Sequence, residues 1–325
     1  MSDVVDVGLH PSLGFGASME NLAESLRLRC LPASFLYRGA GSAALWERLH
    51  LAHAPSAQAG ARISPHQEAL QYLIDKAALS FHLISLGCGL AEKEMMLMDF
   101  DEACVQRVDL FDGSLELVAE AMRRWLSKNK QSIVRGLGVD LAAARDWGRL
   151  VSDSHGAARV FTLFGMVPNF EMGELLSRLS GVVQSGDYLV LDANLRPPSQ
   201  SGEGDIPRSI VSQYDNVECR DWLMASLAEL GVYAVDGDLS FEVEAASVKS
   251  EAPRIEGKFL LDRALEIRLP GQSVSLRRGE PLRVFYSYRY QAEDLPRILG
   301  GGGFRLDGAW FSESGEDGVY VFQRN

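Results

Sequence analysis

The stretch that most constrains this chain is His82–Glu94, HLISLGCGLAEKE. Leu83, Ile84 and Leu86 form a short apolar run of the length of a buried strand. Gly87-Cys88-Gly89 ends it, and a helical pattern carrying Met95, Met96 and Met98 follows. Strand, glycine turn and helix open a nucleotide-binding βαβ unit. Glycine lets the backbone approach a ligand closely, and the new helix start offers unpaired N–H groups. A dinucleotide turn would place a third glycine where Glu92 stands. A plain β–α turn also favours glycine, so G-x-G alone leaves that simpler reading open.

The alternation continues on both sides. Glu20–Arg29, the segment from Ser42 (a plausible cap for Leu45, Trp46 and Leu49) and the segment from Ser64-Pro65 to Leu79 read as helices. Val105–Phe111, Ile133–Val139, Val160–Phe164 and Tyr188–Leu195 read as strands. Ser114–Ser127, Leu141–Leu150 and Glu171–Val183 read as the helices between them. This spacing predicts a parallel, doubly wound α/β sheet, with ligands beyond the C-terminal strand ends. Residues 52–63, rich in Ala, Ser and Gly, and the polar run 196–207 read as loops. A helix with Trp222, Leu223, Leu227 and Leu230 follows. The segment from Tyr233 to Leu276 then changes to short alternating strands, the pattern of a small antiparallel insertion. Leu282–Tyr290 and Gly318–Phe322 read as two closing strands around a helix at Ala292–Leu299. The domain expectation is residues 1–196 with 286–325 as one domain, carrying an N-terminal helical segment, and 197–285 as a substrate-binding insertion.

At 325 residues and 46% hydrophobic content the chain can bury a full core. A net charge of −12 without a dense Lys/Arg stripe disfavours nucleic acid as a partner. No run is apolar for long enough to span a membrane, and the start lacks the order of a signal peptide. The four cysteines are scattered and the six histidines lack ligand spacing. Neither a metal site nor a disulfide framework is expected, and a reducing cytoplasm fits best. A small-molecule substrate is the expected partner; the oligomeric state is left open.

Two acids bear on the cofactor. Asp112 ends the second strand of the unit, where a carboxylate accepts hydrogen bonds from ribose hydroxyls. Asp140 ends the third, where it could accept an adenine amino proton while Leu141 packs on the ring. Either acid could instead serve a helix N-cap. No Arg stands near to hold a pyrophosphate. With the antiparallel closing strands, this favours S-adenosyl-L-methionine (SAM) over a nicotinamide dinucleotide.

These residues carry a closer resemblance. Phe35-Leu36-Tyr37-Arg38 with Gly41-Ser42-Ala43 and Leu45-Trp46-Glu47, LGCGLAEKE, Val139-Asp140-Leu141, LFGMVPNF (Leu163–Phe170) and Ser212-Gln213-Tyr214-Asp215 occur in the order of motifs of the histidine-specific Nα-methyltransferases. Gly279-Glu280 through Ser287-Tyr288-Arg289-Tyr290 completes the series. The best-known member of this SAM-dependent family makes the trimethylated histidine precursor of ergothioneine. The resemblance implies a Rossmann-like class I SAM-dependent methyltransferase sheet with a small antiparallel α+β substrate-binding insertion. It implies that Gly87, Gly89, Lys93, Asp112, Asp140 and Leu141 hold the cofactor. It implies that Asn169 and Tyr214 hold the substrate's α-amino-acid end, with Tyr37 close by and Ser287 at the side-chain end; Asn169 and Tyr214 are expected to act by positioning.

The chain departs from the family on the substrate side. The acid that recognises imidazole falls on Phe285, and the methionine of the R-I-E-M strand falls on Gly257. The P-E-Y-Y-P-T-R segment is replaced by the Ala-rich loop after Leu51. Losing a charged acceptor from a site built for imidazole should cost roughly 2–4 kcal/mol. A neutral, apolar or aromatic amino acid, or a related amine, is therefore the expected substrate, in a biosynthetic setting. The cluster Phe285, Tyr286, Tyr288 and Tyr290 is also what ordinary strand packing would give. Transfer to oxygen or carbon, and a non-catalytic methyltransferase-like module, stand as alternatives. No His or Lys at the matching positions offers itself as a base, so solvent is expected to take the proton.

Overall fold

The computed structural model describes residues 5–53, 64–77, 80–101, 103–130, 132–151, 158–196, 206, 208–246 and 252–325. Most of the two loops expected at 52–63 and 196–207 lies outside these residues. Thirteen strands are described: β1 (Val5–Leu9), β2 (Phe81–Leu86), β3 (Val105–Asp112), β4 (Ile133–Gly138), β5 (Ala158–Leu163), β6 (Tyr188–Asn194), β7 (Gly237–Glu244), β8 (Arg254–Leu261), β9 (Leu265–Leu269), β10 (Gln272–Leu276), β11 (Pro281–Tyr288), β12 (Phe304–Phe311) and β13 (Asp317–Arg324). The chain forms two compact units.

The first unit takes residues 1–10, 60–200 and 289–325. It holds an eight-stranded sheet in the order β1-β4-β3-β2-β5-β6-β13-β12. The six strands from β1 to β6 are parallel, and β13 runs antiparallel to β6 and β12 to β13. All six residues of β2 are buried, because a central strand covered on both faces reads as a continuous apolar run. The strand order reverses between β2 and β5, so a crevice opens where their C-terminal ends diverge. The helix Pro65–Ala77 starts on a reciprocal cap: Ser64 N donates to Gln67 Oε1 and Gln67 N donates to Ser64 Oγ. Ser114 caps Leu115–Lys128, whose Val118, Ala121, Met122 and Trp125 face the core.

The second unit takes residues 11–59 and 201–288. It contains the antiparallel sheet β11-β8-β7 and the hairpin β9-β10. The helices Phe15–Arg27, Gly39–His53 and Val217–Glu229 belong to it. Its own core joins Leu22, Phe35 and Trp222 to Phe259, Ile267 and Leu282.

Several expectations change. Residues 11–59, read as part of the methyltransferase domain, group with 201–288, since Leu22, Leu26 and Phe35 share a core with β8 to β11. The Leu282–Tyr290 stretch is not a closing strand of the large sheet. β11 pairs with β8, and only Tyr290 reaches the large sheet, bridging Leu195. The closing antiparallel pair is β13 with β12, and β12 was not read from the sequence. Leu141–Leu150 is not a helix: the Arg178 guanidinium takes the carbonyls of Leu141, Ala142 and Ala144, which a helix would use internally. The helix after the glycine turn is only a 3-10 turn at Glu94–Met96 and one turn at Leu97–Phe100.

Candidate active site

In the first unit, the turn after β2 takes the shape that glycine permits. Gly87 has φ +81° and Gly89 φ +49°, left-handed conformations that a side chain disfavours. Gly87 N and Cys88 N both donate to Phe111 O at 2.8 and 2.9 Å, which ties the turn to the end of β3. Asp112 completes this tie. Its Oδ2 accepts from Gly89 N and its Oδ1 from Ser114 N, each at 2.9 Å. The cap of the following helix is Ser114, so Asp112 braces the turn rather than capping. Burial raises its pKa against the pull of these N–H donors.

Asp140 does act as a turn cap: its Oδ1 accepts from Ala142 N and Ala143 N at 3.0 Å each. Leu141 is buried beside it, and its carbonyl accepts from Trp147 Nε1 at 3.1 Å. These residues fit a nucleoside. Gly87 leaves room for the Met166 side chain against the turn, and an ionised carboxylate offers more acceptor sites than the N–H groups of Gly89, Gly113 and Ser114 take up. SAM, when bound, would supply an electrophilic methyl group on a sulfonium, and Asp112, Asp140 and Leu141 are the residues that would hold its adenosine. Asp112→Ala is expected to raise the dissociation constant of S-adenosylhomocysteine at least about tenfold, because it loosens the turn and removes the carboxylate that would accept from a ribose hydroxyl. Isothermal titration calorimetry reads this directly.

A second cluster stands at the same end of the sheet. Asp192, near the end of β6, accepts from Lys93 Nζ at 2.7 Å, from His66 Nε2 at 2.9 Å and, on its other oxygen, from Gly165 N at 2.6 Å. Burial pulls the pKa of Asp192 up, but Lys93 and the His66 bond outweigh it and hold the carboxyl well below its usual range. Lys93, implied as a cofactor residue, is thus charge-compensated and lies 5.6 Å from the Phe164 ring centre. Asn169 belongs to the same group: its Nδ2 donates to Gly165 O at 3.3 Å. Nearby, Glu94 Oε1 accepts from Ser85 Oγ and Thr162 Oγ1 at 2.7 and 2.8 Å, joining β2 to β5 beside the crevice. Burial raises its pKa. His66, Asp192 and Glu94 were not singled out from sequence. The available signal was an acid inside the most apolar strand, Tyr188–Leu195, which must find a partner when buried.

In the second unit the substrate-side residues collect into an aromatic group. Tyr214 OH and Ser287 Oγ are 3.0 Å apart. The Phe285 ring centre lies 5.7 Å from that of Tyr214 and 6.2 Å from that of Trp222. Tyr37 lies 5.3 Å from Trp222 and 5.9 Å from Trp46. Gly257 pairs with Phe285 across β8 and β11. A Cβ at Gly257 would stand 3.3 Å from Phe241 Cε1 and 3.4 Å from Phe285 Cβ, so aromatic carbon occupies the space around this glycine. Tyr37, Tyr214, Gly257, Phe285 and Ser287 therefore share one unit, while Asn169 belongs to the other.

Comparison with known proteins gives one family and a set of distant folds. Residues 220–324 match the family model described as histidine-specific methyltransferase, SAM-dependent. No curated protein matches the chain. Among solved structures, an S-adenosylmethionine-dependent methyltransferase from Clostridium acetobutylicum is 11% identical with TM-score 0.44, covering 86% of this chain and 99% of that one. Magnesium protoporphyrin IX methyltransferase from Synechocystis, with S-adenosylhomocysteine bound, is 12% identical with TM-score 0.44, covering 89% and 96%. A glycopeptide N-methyltransferase complexed with SAM is 11% identical with TM-score 0.41, covering 84% and 99%. Among the described residues, no helix is long and apolar enough to cross a membrane.

Proposed function

We propose that this chain, a SAM-dependent methyltransferase matched over its C-terminal third by the histidine-specific family, methylates the amino nitrogen of a small amino acid or amino-acid-derived metabolite other than histidine. The observation that carries the reading is Phe285. The family's imidazole-recognising acid falls on this residue, and its ring packs against Tyr214 and Trp222. A site lined this way favours an apolar or aromatic side chain and leaves an imidazole N–H without a charged acceptor. Tyr214 and Ser287 supply hydroxyls at the edge of this aromatic group. In the first unit, the family resemblance assigns Asn169 to the α-amino-acid end, where an amide would help hold a neutral amine in line with the methyl carbon.

The test is mass spectrometry of products after incubating the protein with methyl-labelled SAM and a pool of amino acids including histidine. Label on an apolar or aromatic amino acid supports the reading. Label on histidine, on an oxygen or carbon, or on nothing while S-adenosylhomocysteine still binds, overturns it. Phe285→Glu restores an acid in this place. It is expected to lower kcat/KM for the natural acceptor at least about tenfold, or about 1.4 kcal/mol, and to raise the histidine share of the label.

A further inference from the structure

His66 stands at the second residue of the helix Pro65–Ala77, with its ring buried and edge-on to Phe164 at 5.2 Å. Its Nε2 lies 2.9 Å from Asp192 Oδ2. An ionised carboxylate only accepts, so Nε2 carries the proton and Nδ1 carries the lone pair. Among the described residues Nδ1 has no hydrogen-bond partner. Asp192 thus fixes both the tautomer and the direction of the ring, the role a carboxylate takes behind a histidine base.

Gly165 connects this pair to the amine site. Its N–H donates to Asp192 Oδ1 and its carbonyl accepts from Asn169 Nδ2. One residue therefore holds the histidine's partner with one backbone group and the substrate-positioning amide with the other. We propose that His66, oriented by Asp192, is the proton acceptor for the amine held beside Asn169. This rests on the N-methylation reading above, and it replaces solvent as the acceptor.

The charge environment keeps the ring ready. Burial first, then Lys93, lower the pKa of His66 more than Asp192 raises it, so the imidazole is neutral at neutral pH. Asp317 on β13 interacts electrostatically with Asp192, Lys93, Arg289 and Glu316. In the step itself the ammonium N–H bond breaks and its electron pair stays on the amine nitrogen. The proton goes to Nδ1, and Asp192 pairs the imidazolium through Nε2–H. Solvent takes the proton after turnover.

The test compares the full-length protein with His66→Asn. With the acceptor found above, kcat/KM is expected to fall about 10²–10⁴-fold, and the limb of the pH profile that follows His66 should vanish. Added imidazole should restore part of the rate, while S-adenosylhomocysteine affinity changes little by calorimetry. A variant with unchanged rate and pH profile overturns the proposal in favour of solvent. Equal loss of rate and of S-adenosylhomocysteine affinity overturns it in favour of a cofactor-holding role. A wild-type protein that binds S-adenosylhomocysteine but labels no amine strikes the N-methylation reading instead. The ring is then judged by ¹⁵N NMR, which needs no acceptor: Nε2–H with a bare Nδ1 supports the assignment, and Nδ1–H overturns it.

Discussion

Asp192→Asn should destabilise the first unit by about 3 kcal/mol at neutral pH, the range found when one member of a buried ion pair is removed. The carboxylate is 8% exposed and accepts from Lys93, His66 and Gly165 together. The amide keeps the shape but removes the charge that offsets Lys93, and its NH₂ group cannot accept. The pH dependence has a defined sign. The folded-state pKa of Asp192 is depressed, so its contribution is fully present above its ordinary value of 3.8 and is lost as pH falls from there toward the lower folded-state value. Asp317 acts the other way. Burial raises it to about 6, so stability declines as pH rises from its ordinary value of 3.8 toward 6. Denaturant melts of wild type and Asp192→Asn from neutral pH to well below pH 3.8 give the check. The variant should lie well below wild type at neutral pH and approach it in acid. A constant gap at all pH values would show that Asp192 acts by packing alone.

Asn169→Ala should lower kcat/KM about 10²-fold or more and leave S-adenosylhomocysteine affinity nearly unchanged. Methyl transfer is an in-line displacement, so a small loss of alignment costs much of the rate. The Asn169 amide is held to Gly165 O from the 3-10 turn Val167–Asn169, whose Val167 and Pro168 are buried. Truncation should free the substrate end without disturbing the turn after β2. Steady-state kinetics and calorimetry on the same preparation separate the two effects. Equal losses would place Asn169 in the cofactor site instead.

Local sequence was enough to determine the central strands. β2 to β6 are short, mostly apolar runs bounded by glycine, polar residues and helical periodicity, and burial of most of their residues favours that composition. The glycine turn and Asp112 were legible for the same reason, since their conformation and position follow from neighbours within one βαβ unit. The family match at residues 220–324 agrees with motifs read there from the chain alone.

What the tertiary structure decided depends on partners far apart in the chain. β1 alternates Val5, Val7 and Leu9, but these are exposed at the sheet edge, so only pairing with β4 shows it to be part of the sheet. The Leu141–Leu150 stretch has helical periodicity, but Arg178, thirty-odd positions later, takes its carbonyls. β11 alternates like any strand; only pairing with β8 shows which sheet it joins. Residues 66, 93, 165 and 192 meet because four segments come together at the same end of one sheet. Periodicity reports which face of an element is apolar, whereas a buried charge cluster is set by which elements become neighbours.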